Sequence, residues 1–526
     1  MRNAPPRRGK RLLRVELAFA TPRGRADASA SLLPIGLLDL AAVLSRAGHR
    51  VRVSHLGGLS QDQAARELLA GRPDLVGLSC FTFQRHQTLS LARRLKRGAR
   101  PPLVLLGGPH ASALGPAILR RCPWVDGVVE GEGEATLAEI TARLASRRSL
   151  EGIAGLRLRT VAPAVAPPAR PLLPDLDALP SPARAAFALR GVDPAFQLRH
   201  LVTGRGCSGR CSFCCAPAAW GRQVRKHTVA HVLREIADLR AIHGLPFLSF
   251  RDDTFTDDPA WTRRLCRGLV EANSDVLWDC QSRVNRLDRE TALWMRRAGC
   301  VQIQLGVESG SEAVLRTLRK PFHRGHVEAA VRACREAGIL VSLYLITGVP
   351  GERERDIRAT ERLVADTRPV SLVVSRLSLY PGTPLAAAVP EARWFSHRGA
   401  ALYAREDRAA LGHFRRLQRL ARQVGRGAPF GLEEIQAAAA RVGRAPPALL
   451  SLAQAHEMVG ARDAAEALYR EILERRPGHC WAELGRAELA LRGCDARGAR
   501  THLRRVLASI PNWTYPRELL ARTTSP

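Results

Sequence analysis

The chain has 526 residues, of which 46% are hydrophobic, and this length predicts two or three domains with substantial cores. Its formal net charge is +32, but arginine supplies almost all of the positive charge and is spread over many predicted helices. Dispersed arginine indicates a compositional bias more than a nucleic-acid groove. We therefore expect no nucleic-acid partner, although the charge would attract acidic partners.

The N-terminal residues are not typical of a secretion signal. They lack a long apolar core, and Glu16 interrupts the apolar run that follows. The longest apolar stretch, SLLPIGLLDLAAVL, is short for a membrane span and contains Asp39. Twelve cysteines without a secretion signal predict reduced thiols, and hence a cytoplasmic protein without a transmembrane segment.

Residues 1–160 alternate strand-like apolar runs with amphipathic helical patterns, as β-α-β units do. Runs such as LVGLS and LVLLG are apolar throughout, so their strands are expected to be buried on both faces. The pattern predicts a doubly wound, Rossmann-like α/β domain that binds its ligand at the carboxyl ends of parallel strands. The predicted strands are RLLRVELAFA, HRVRVSHLG, DLVGLSCF, PLVLLGGPH and VDGVVEGEGE.

Small residues follow several of these strands, namely Ser79, Gly107 with Gly108, and the glycine-rich run 131–134. Glycine allows a flat ligand to approach the backbone closely. The pattern LGGPHAS followed by DGVVEGEGE resembles the cobalamin-binding domain that precedes many radical S-adenosylmethionine (radical SAM) cores. The resemblance implies that the nucleotide tail of cobalamin lies against Gly107, Gly108 and Ser79.

One departure from cobalamin proteins concerns the cobalt ligand. The D-x-H-x-x-G motif, which supplies a histidine to cobalt elsewhere, is absent, because His55 lacks the preceding aspartate. Many radical SAM members lack it too, so this motif implies no lower protein ligand. The alternatives are a vestigial domain without a ligand, or one that binds another nucleotide. We interpret His110 as a cap of its turn rather than a metal ligand.

Residues 161–195 are rich in proline and alanine. Proline at this density prevents regular helix and sheet, so an extended linker is predicted. The apolar residues of LLPDLDALP predict that the linker packs along the core rather than floating free.

The run GRGCSGRCSFCCAP places Cys207, Cys211 and Cys214 in a C-x3-C-x2-C spacing. Three thiolates on one loop can hold three irons of a [4Fe-4S] cluster and leave the fourth iron open. A structural zinc needs a fourth donor, but Cys215 is badly placed beside Cys214, and His227 is the only histidine nearby. A disulfide would need an oxidising compartment. The spacing therefore predicts a cluster that takes part in chemistry.

This spacing, together with Phe213 and the leading strand RHLVTGRGC, resembles the radical SAM enzymes. The resemblance implies that the open iron chelates the amino and carboxylate groups of S-adenosylmethionine. An electron from the cluster then cleaves the sulfonium and releases a 5'-deoxyadenosyl radical. Cys207, Cys211 and Cys214 are thus the implied catalytic and metal-binding residues, and the backbone of Phe213 would lie beside the adenine.

Six strand–helix units between about residues 196 and 400 predict a partial (β/α)6 barrel, with its chemistry at the carboxyl ends of the strands. Carboxylates, an arginine and glycines at these ends suit a zwitterionic ligand that carries a ribose. The residues at these ends are Asp252, Asp253, Gln281, Arg283, Glu308, Ser309, Gly310, Gly348 and the turn 380–384.

The radical SAM resemblance implies roles for several of these residues. Asp252 and Asp253 occupy the second-strand motif that approaches the amino group of S-adenosylmethionine. Glu308, followed by Ser309 in GVESGS, matches the fourth-strand carboxylate that holds the ribose. The GVPGE run, which begins at Gly348, resembles the turn that borders the adenine.

Arg283 matches a basic third-strand position near the methionyl carboxylate. Structural alternatives remain open for two of these residues. Asp253 could cap the helix that follows FTDDP, and Arg283 could pair with Asp279 or Glu308.

Residues 401–445 are predicted to form a helical connection, and 446–526 an alanine-rich helical region. Pro477 and Pro511 lie 34 residues apart, as do Leu473 and Leu507. This period is typical of tetratricopeptide-like helix pairs. Two repeats are too few for a free solenoid, so we expect them to dock on the core, either to bind a protein or as a packing appendage.

The order of domains matches cobalamin-dependent radical SAM enzymes. That resemblance implies methylation of an unactivated carbon in a natural product, lipid or peptide, with a flavodoxin- or ferredoxin-type electron donor. The alternatives are oxidative cyclisation or rearrangement, tRNA methylthiolation, and a non-catalytic adaptor. Methylthiolation needs further cluster cysteines in the first domain, which has only Cys80 and Cys122. The intact cysteine loop argues against an adaptor.

Overall fold

The computed structural model describes residues 11–21, 32–159, 166–182, 188–426 and 430–524. The chain packs into two compact units. The first unit comprises residues 1–198, 204–226 and 378–404, and the second comprises 199–203, 227–377 and 405–526. The domain boundaries drawn from the sequence stay predictions.

Strands and helices are numbered in chain order. The strands are β1 (Arg14–Phe19), β2 (Arg50–His55), β3 (Leu75–Ser79), β4 (Leu103–Gly107), β5 (Gly127–Val129), β6 (Leu156–Leu158), β7 (Leu189–Arg190), β8 (His200–Leu201), β9 (Gly204–Arg205), β10 (Arg225–Lys226), β11 (Phe247–Phe250), β12 (Leu277–Ser282), β13 (Cys300–Glu308), β14 (Leu340–Thr347), β15 (Ser371–Arg376), β16 (Ser378–Leu379) and β17 (Leu402–Tyr403). The helices are α1 (Gly36–Arg46), α2 (Gln61–Ala70), α3 (Arg85–Leu95), α4 (Pro109–Arg121), α5 (Glu134–Ala145), α6 (Pro194–Leu198), α7 (Ala216–Trp220), α8 (Val229–His243), α9 (Pro259–Glu271), α10 (Arg289–Arg297), α11 (Glu312–Thr317), α12 (Arg324–Ala337), α13 (Glu354–Thr367), α14 (Arg393–Ser396), α15 (Arg408–Gln423), α16 (Leu432–Arg441), α17 (Pro446–Met458), α18 (Arg462–Arg475), α19 (Cys480–Arg492), α20 (Ala496–Ser509) and α21 (Thr514–Thr524).

A seven-stranded sheet in the order β6-β5-β4-β3-β1-β2-β7 forms the core of the first unit. All neighbouring strands are parallel except β5 and β6. The five strands predicted from the sequence are β1 to β5, so the doubly wound α/β fold is confirmed. Sequence reasoning missed β6 and β7, because strands of three and two residues, each containing an arginine, are too short to show a recognisable pattern.

The segment between β16 and β17 also packs in the first unit. Arg85, which is 1% exposed, donates to the carbonyl oxygens of Trp394 at 2.7 Å and Gly399 at 3.2 Å. Neutral carbonyl acceptors satisfy this buried guanidinium. Arg85 therefore anchors the segment beside the first sheet.

The second unit is built on six parallel strands in the order β15-β14-β13-β12-β11-β8. This arrangement confirms the partial (β/α)6 barrel. Side chains alternate along β12, where Trp278 and Cys280 are buried and Asp279 and Gln281 are partly exposed. One face of the sheet is therefore apolar beneath the helices and the other face is polar.

The helices from α16 onward pack within the second unit. Nη2 of Arg296, at the end of α10, donates to the carbonyl oxygen of Pro447 in α17 at 2.7 Å. Nη1 of Arg476 donates to the carbonyl oxygen of Ser274 at 3.0 Å. The C-terminal helices thus dock on the barrel, as we expected from the sequence. Their assignment to tetratricopeptide repeats stays a prediction.

None of the described helices combines the length and the apolar character that crossing a bilayer requires.

Candidate active site

Cys207, Cys211 and Cys214 lie on one loop of the first unit, between β9 and β10. None of the twelve cysteines, all of which the structure describes, forms a disulfide, and these three are partly exposed. The backbone N–H of Gly209 donates to Sγ of Cys207 at 3.4 Å. Three reduced thiols on one loop are the donor set that three corners of a cubane cluster need, so these residues fit the predicted [4Fe-4S] cluster.

Backbone contacts fix the loop on both sides of the first cysteine. Gly206 has φ +92°, and a Cβ at this position would lie 2.3 Å from the carbonyl oxygen of Gln223. Farther along, the N–H of Leu385 donates to the carbonyl oxygen of buried Ser212 at 3.1 Å. The shape of the loop therefore depends on close packing that only glycine permits at position 206.

Phe213 lies between two of these cysteines and is partly buried. That the backbone of Phe213 lies beside the adenine of S-adenosylmethionine stays a prediction. Cys215, directly before α7, is likewise partly exposed and forms no disulfide.

Asp252 and Asp253 follow β11 in the second unit, and their environments differ. Asp252 is 2% exposed and accepts bonds from the backbone N–H and the hydroxyl of Thr203, each at 2.6 Å. Asp253 is exposed. The cap of α9 is Asp258, which accepts from the N–H of Trp261 at 2.9 Å, so capping does not explain Asp253.

Glu308 ends β13 in a strained conformation. Its φ is +67°, which is unusual for a residue with a Cβ and is found most often at functional sites. The carboxylate is buried, and its Oε1 accepts a bond from Nζ of Lys320 at 2.8 Å. The backbone strain and the ion pair together fix the direction of this carboxylate.

Arg283 follows β12 and is also buried. Its Nη2 lies 2.9 Å from Oδ1 of Asp257, whose side chain is 5% exposed. This pairing differs from the two partners considered from the sequence, Asp279 and Glu308. It holds a guanidinium at the carboxyl end of the third barrel strand.

Ser309 and Gly348 are bonded to neighbouring helices and turns. The hydroxyl of Ser309 lies 3.1 Å from that of Thr360 in α13. The N–H of Gly348 donates to Oε2 of Glu352 at 2.9 Å. Burial raises the pKa of the Glu352 carboxyl, although Gly348 and His413 act in the opposite direction.

Five of the residues predicted from the sequence thus follow the ends of parallel strands in one sheet. They are Asp252, Arg283, Glu308, Ser309 and Gly348. Because the carboxyl ends of parallel strands meet at one edge, these residues share that edge of the barrel. Their roles toward S-adenosylmethionine stay predictions.

In the first unit, the ends of β3 and β4 are bonded to each other. The N–H of Cys80 donates to the carbonyl oxygen of Gly107 at 2.7 Å. Gly108 has φ +92°, and a Cβ there would lie 3.0 Å from the carbonyl oxygen of Cys80 and 3.3 Å from Oγ of Ser79. Ser79, Gly107 and Gly108 therefore form one tightly packed turn at the carboxyl edge of the sheet.

The same edge has open space and an unsatisfied polar atom, as a ligand site would. A Cβ at Gly107 would meet no atom closer than 4.0 Å, and one at Gly131 would meet none within 4 Å. Nε2 of His110 is buried without a hydrogen-bond partner among the described residues, while its Nδ1 lies 3.1 Å from the hydroxyl of Thr82. These features fit a flat ligand such as cobalamin.

The polar face of the barrel carries a cluster that the sequence did not predict. Oε1 of Gln304 accepts bonds from Tyr344 at 2.8 Å, and from Gln281 and Arg251 at 3.2 Å each. These four partly exposed residues come from four adjacent strands or their ends. No ion pair of Arg251 is found in the part of the chain that the structure describes.

Sequence reasoning also missed residues that orient the predicted ones. Lys320 and Asp257 stand away from any strand end, so only the folded chain brings them to Glu308 and Arg283. One available signal was that Lys320 is among only four lysines in an arginine-rich chain.

Comparison with protein families matches two regions of the chain. The Radical SAM superfamily model matches residues 201–364, which include the cysteine loop and β11 to β14. The B12 binding domain model matches residues 25–141, which include the edge formed by β3 and β4.

Curated and solved relatives support the same two-part organisation. An uncharacterized methyltransferase of Pyrococcus horikoshii is 29% identical over 67% of this chain and 77% of its own length. An anaerobic magnesium-protoporphyrin IX monomethyl ester cyclase of Rubrivivax gelatinosus is 26% identical over 66% of this chain and 64% of its own length. The fold is similar to that of TsrM from Kitasatospora setae, a radical S-adenosylmethionine methyltransferase solved with cobalamin and a [4Fe-4S] cluster. The TM-score is 0.60 and the identity 22%, over 72% of this chain and 76% of the other.

Proposed function

We propose that the chain is a cobalamin-dependent methyltransferase of the radical SAM superfamily that acts on an unactivated carbon, a proposal supported by the matches to the Radical SAM superfamily and B12 binding domain models. The observation that carries the proposal is the set of three cysteines, none in a disulfide, on one loop of a chain that also has the open, glycine-lined sheet edge. When bound, the cluster supplies the electron that cleaves S-adenosylmethionine, and cobalamin supplies the methyl carrier.

The proposed roles of the chain's own residues follow from their chemistry. Cys207, Cys211 and Cys214 would hold three irons. Glu308, fixed by Lys320, would accept hydrogen bonds from the ribose hydroxyls.

The remaining roles concern the other groups of the two cofactors. Asp252 and Asp253 would face the amino group of S-adenosylmethionine, and Arg283 its carboxylate. The turn formed by Ser79, Gly107 and Gly108 would receive the cobalamin tail. The proximity of Phe213, Ser309 and Gly348 to the nucleoside is part of the same proposal.

The polar face of the barrel favours a substrate with hydrogen-bonding or acidic groups over a hydrocarbon-like lipid. Arg251, Gln281 and Tyr344 converge on Gln304, and a partly exposed guanidinium without an ion-pair partner attracts an anion. Methylation of lipids but of no polar small molecule or peptide would contradict this substrate class.

An oxidative cyclase is the second candidate function, favoured by the likeness to the cyclase of Rubrivivax gelatinosus. A methylated product with consumption of two molecules of S-adenosylmethionine would distinguish methyl transfer from cyclisation. We further propose a flavodoxin- or ferredoxin-type electron donor and a reducing, cytoplasmic location, which twelve cysteines without a disulfide support. The C-terminal helices are a proposed site for a protein partner.

Anaerobic reconstitution followed by iron, sulfide and corrin analysis tests the proposal. We expect about one four-iron cluster and one corrin per chain. Replacing Cys207, Cys211 and Cys214 with alanine should abolish both the cluster and 5'-deoxyadenosine formation. Cys494→Ala, which removes an exposed cysteine, is the control and should change neither. Cleavage of S-adenosylmethionine by the triple variant would refute the proposal.

A further inference from the structure

Two buried arginines stand at the two ends of the cysteine loop. Arg205 lies two residues before Cys207, and Arg225 pairs opposite it in the short antiparallel ladder of β9 and β10. Their exposed fractions are 5% and 8%. We call this pair of strands the neck of the loop, because residues 206–224, with all three cluster cysteines, emerge from it.

Carboxylates of the first domain surround Arg205. Its Nη2 lies 2.6 Å from Oε1 of Glu134 and 2.9 Å from Oδ2 of Asp39, and its Nη1 lies 3.2 Å from Oε1 of Glu132. The guanidinium also lies over the ring of Trp220, 4.9 Å from its centroid. The start of the loop is therefore tied to α1 and to the turn after β5.

Glu132 also binds the other arginine of the neck. Nη2 of Arg225 lies 2.8 Å from Oε1 of Glu132, and Nη1 of Arg225 lies 3.1 Å from Oε2. Oε2 of Glu132 accepts a further bond from the N–H of Leu173 at 2.8 Å. One carboxylate thus joins both ends of the neck.

Buried ion pairs are poor sources of net stability, because desolvation offsets most of the attraction. Their geometry is nevertheless demanding, since a misplaced guanidinium would leave a buried carboxylate without its counter-charge, which is strongly destabilising. Three carboxylates and two guanidiniums can all be satisfied only when the neck lies at one position. The network therefore specifies where the loop begins and ends.

We infer that Glu132 and Glu134 are positioning residues, through which the first domain holds the neck and so sets the arrangement of Cys207, Cys211 and Cys214. The inference rests on the proposed function, because it concerns thiolates that bind a cluster. Under this inference, the glycine-rich run 131–134 positions the cysteine loop, which differs from the role of letting a flat ligand approach the backbone. Glycines at 131 and 133 form the turn, and the carboxylates between and after them reach the neck.

Glu139 provides a matched control within the same domain. It lies on α5 and bonds two arginines, Arg143 at 2.6 Å and Arg170. Neither arginine belongs to the cysteine loop. Its side chain is 34% exposed, against 4% for Glu132 and Glu134, so its loss removes two arginine pairs at a lower cost and without loosening the neck.

The test compares Glu132→Gln, Glu134→Gln and Glu139→Gln in the full-length chain after anaerobic reconstitution. The measured quantities are iron retained against a chelator, the electron paramagnetic resonance signal of the reduced cluster with and without S-adenosylmethionine, and corrin content. We expect the first two variants to retain iron about 10–100-fold less tightly, as loss of supporting contacts around metal ligands usually does. Glu139→Gln should match the wild type, and corrin content should be unchanged in all three.

A second measurement does not require a cluster. In the apo protein, alkylation of Cys207, Cys211 and Cys214, followed by mass spectrometry, should be faster in Glu132→Gln and Glu134→Gln than in Glu139→Gln. If either glutamate variant fails to fold, Arg205→Lys replaces it, because lysine keeps the charge but cannot bond several carboxylates at once. Rapid alkylation in Arg205→Lys supports the inference.

Two results would overturn the inference. One is wild-type iron retention and alkylation in both glutamate variants. The other is a parallel loss of iron and corrin, which would indicate general damage to the first domain. Failure of the wild type itself to take up four irons would instead refute the proposed function, so the two failures are distinguishable.

Discussion

Nζ of Lys320 lies 2.8 Å from Oε1 of Glu308, and the two side chains are 4% and 8% exposed. The pair forms at a residue with φ +67°, so the carboxylate is held both by its partner and by an uncommon backbone conformation. Such an arrangement restricts the conformational freedom of the Glu308 side chain, which a ligand would otherwise have to restrict on binding. The Glu308 carboxylate is therefore already oriented before any ligand binds.

The first prediction concerns this ion pair. Glu308→Gln should bind S-adenosylmethionine about 10-fold or more weakly, because an amide is a poorer acceptor than a carboxylate. Lys320→Met should lower the free energy of unfolding by roughly 3–5 kcal/mol, since it leaves a buried carboxylate without its partner. Calorimetric titration and denaturant unfolding measure the two effects.

Lys96→Met is the control, because Lys96 pairs with Asp126 in the first unit, with side chains 21% and 19% exposed. It should cost only about 1 kcal/mol and leave binding unchanged. Unaltered affinity in Glu308→Gln would show that Glu308 does not face the ribose.

Much of the site could be predicted because the relevant residues lie at strand ends or in a tight cysteine spacing. Parallel topology places Asp252, Arg283 and Glu308 at one edge without any knowledge of tertiary contacts. The partners of these residues could not be predicted in the same way. Asp257 and Lys320 lie on connections, and their positions depend on how each connection packs.

The fold shows the same division between local and long-range information. Continuous apolar runs identified β3 and β4 because each run is long enough to define a buried strand. The grouping of residues 204–226 and 378–404 with the first unit has no local signal. It arises from long-range bonds such as those of Arg85 to Trp394 and of Arg205 to Glu134.

The second prediction concerns the start of the cysteine loop. Gly206→Ala should prevent normal cluster uptake, because its Cβ would lie 2.3 Å from the carbonyl oxygen of Gln223 at φ +92°. The control is Gly443→Ala, where φ is +73° but no atom lies within 4 Å of the added Cβ. That variant carries only the backbone strain, about 1–2 kcal/mol.

Iron and sulfide content after reconstitution separates these two effects. We expect Gly443→Ala to load a full cluster and Gly206→Ala to load less than half. Equal loading in both variants would mean that the neck adjusts to the extra atom without moving the cysteines.

The third prediction concerns the docking of the tail. Arg296 is 1% exposed and donates to the carbonyl oxygens of Cys300 at 3.0 Å and Pro447 at 2.7 Å, and also to the hydroxyl of Ser451. Burial lowers the pKa of this guanidinium to about 10, so it remains charged at neutral pH. Arg296→Met would leave these buried acceptors without a donor and should destabilise the docked tail by roughly 2–3 kcal/mol.

Hydrogen exchange resolved along the chain measures the effect. Amides of α17 should exchange faster in Arg296→Met, whereas those of the first sheet should not change. Arg332→Met, which removes an exposed arginine of α12, should leave both regions as in the wild type. Faster exchange throughout the chain would indicate global unfolding instead of loss of docking.

The fourth prediction concerns acid sensitivity. Burial lowers the pKa of His110 from 6.5 to about 3, and the charges of Arg85 and His86 add to the shift. Below about pH 6.5, His110 is therefore protonated in the unfolded chain but stays neutral in the folded chain. This difference lowers the stability of the fold as the pH falls toward 3. At pH 5 the penalty is roughly 2 kcal/mol relative to pH 7.

His110→Asn, which can still bond the hydroxyl of Thr82 but does not titrate, should show less loss of thermal stability between pH 7 and pH 5. His243→Asn is the control, because this histidine is partly exposed at the end of α8 in the second unit, and the variant should keep the wild-type pH dependence. A wild-type slope in His110→Asn would show that His110 is protonated in the folded chain, and hence that its ring reaches solvent or an acceptor.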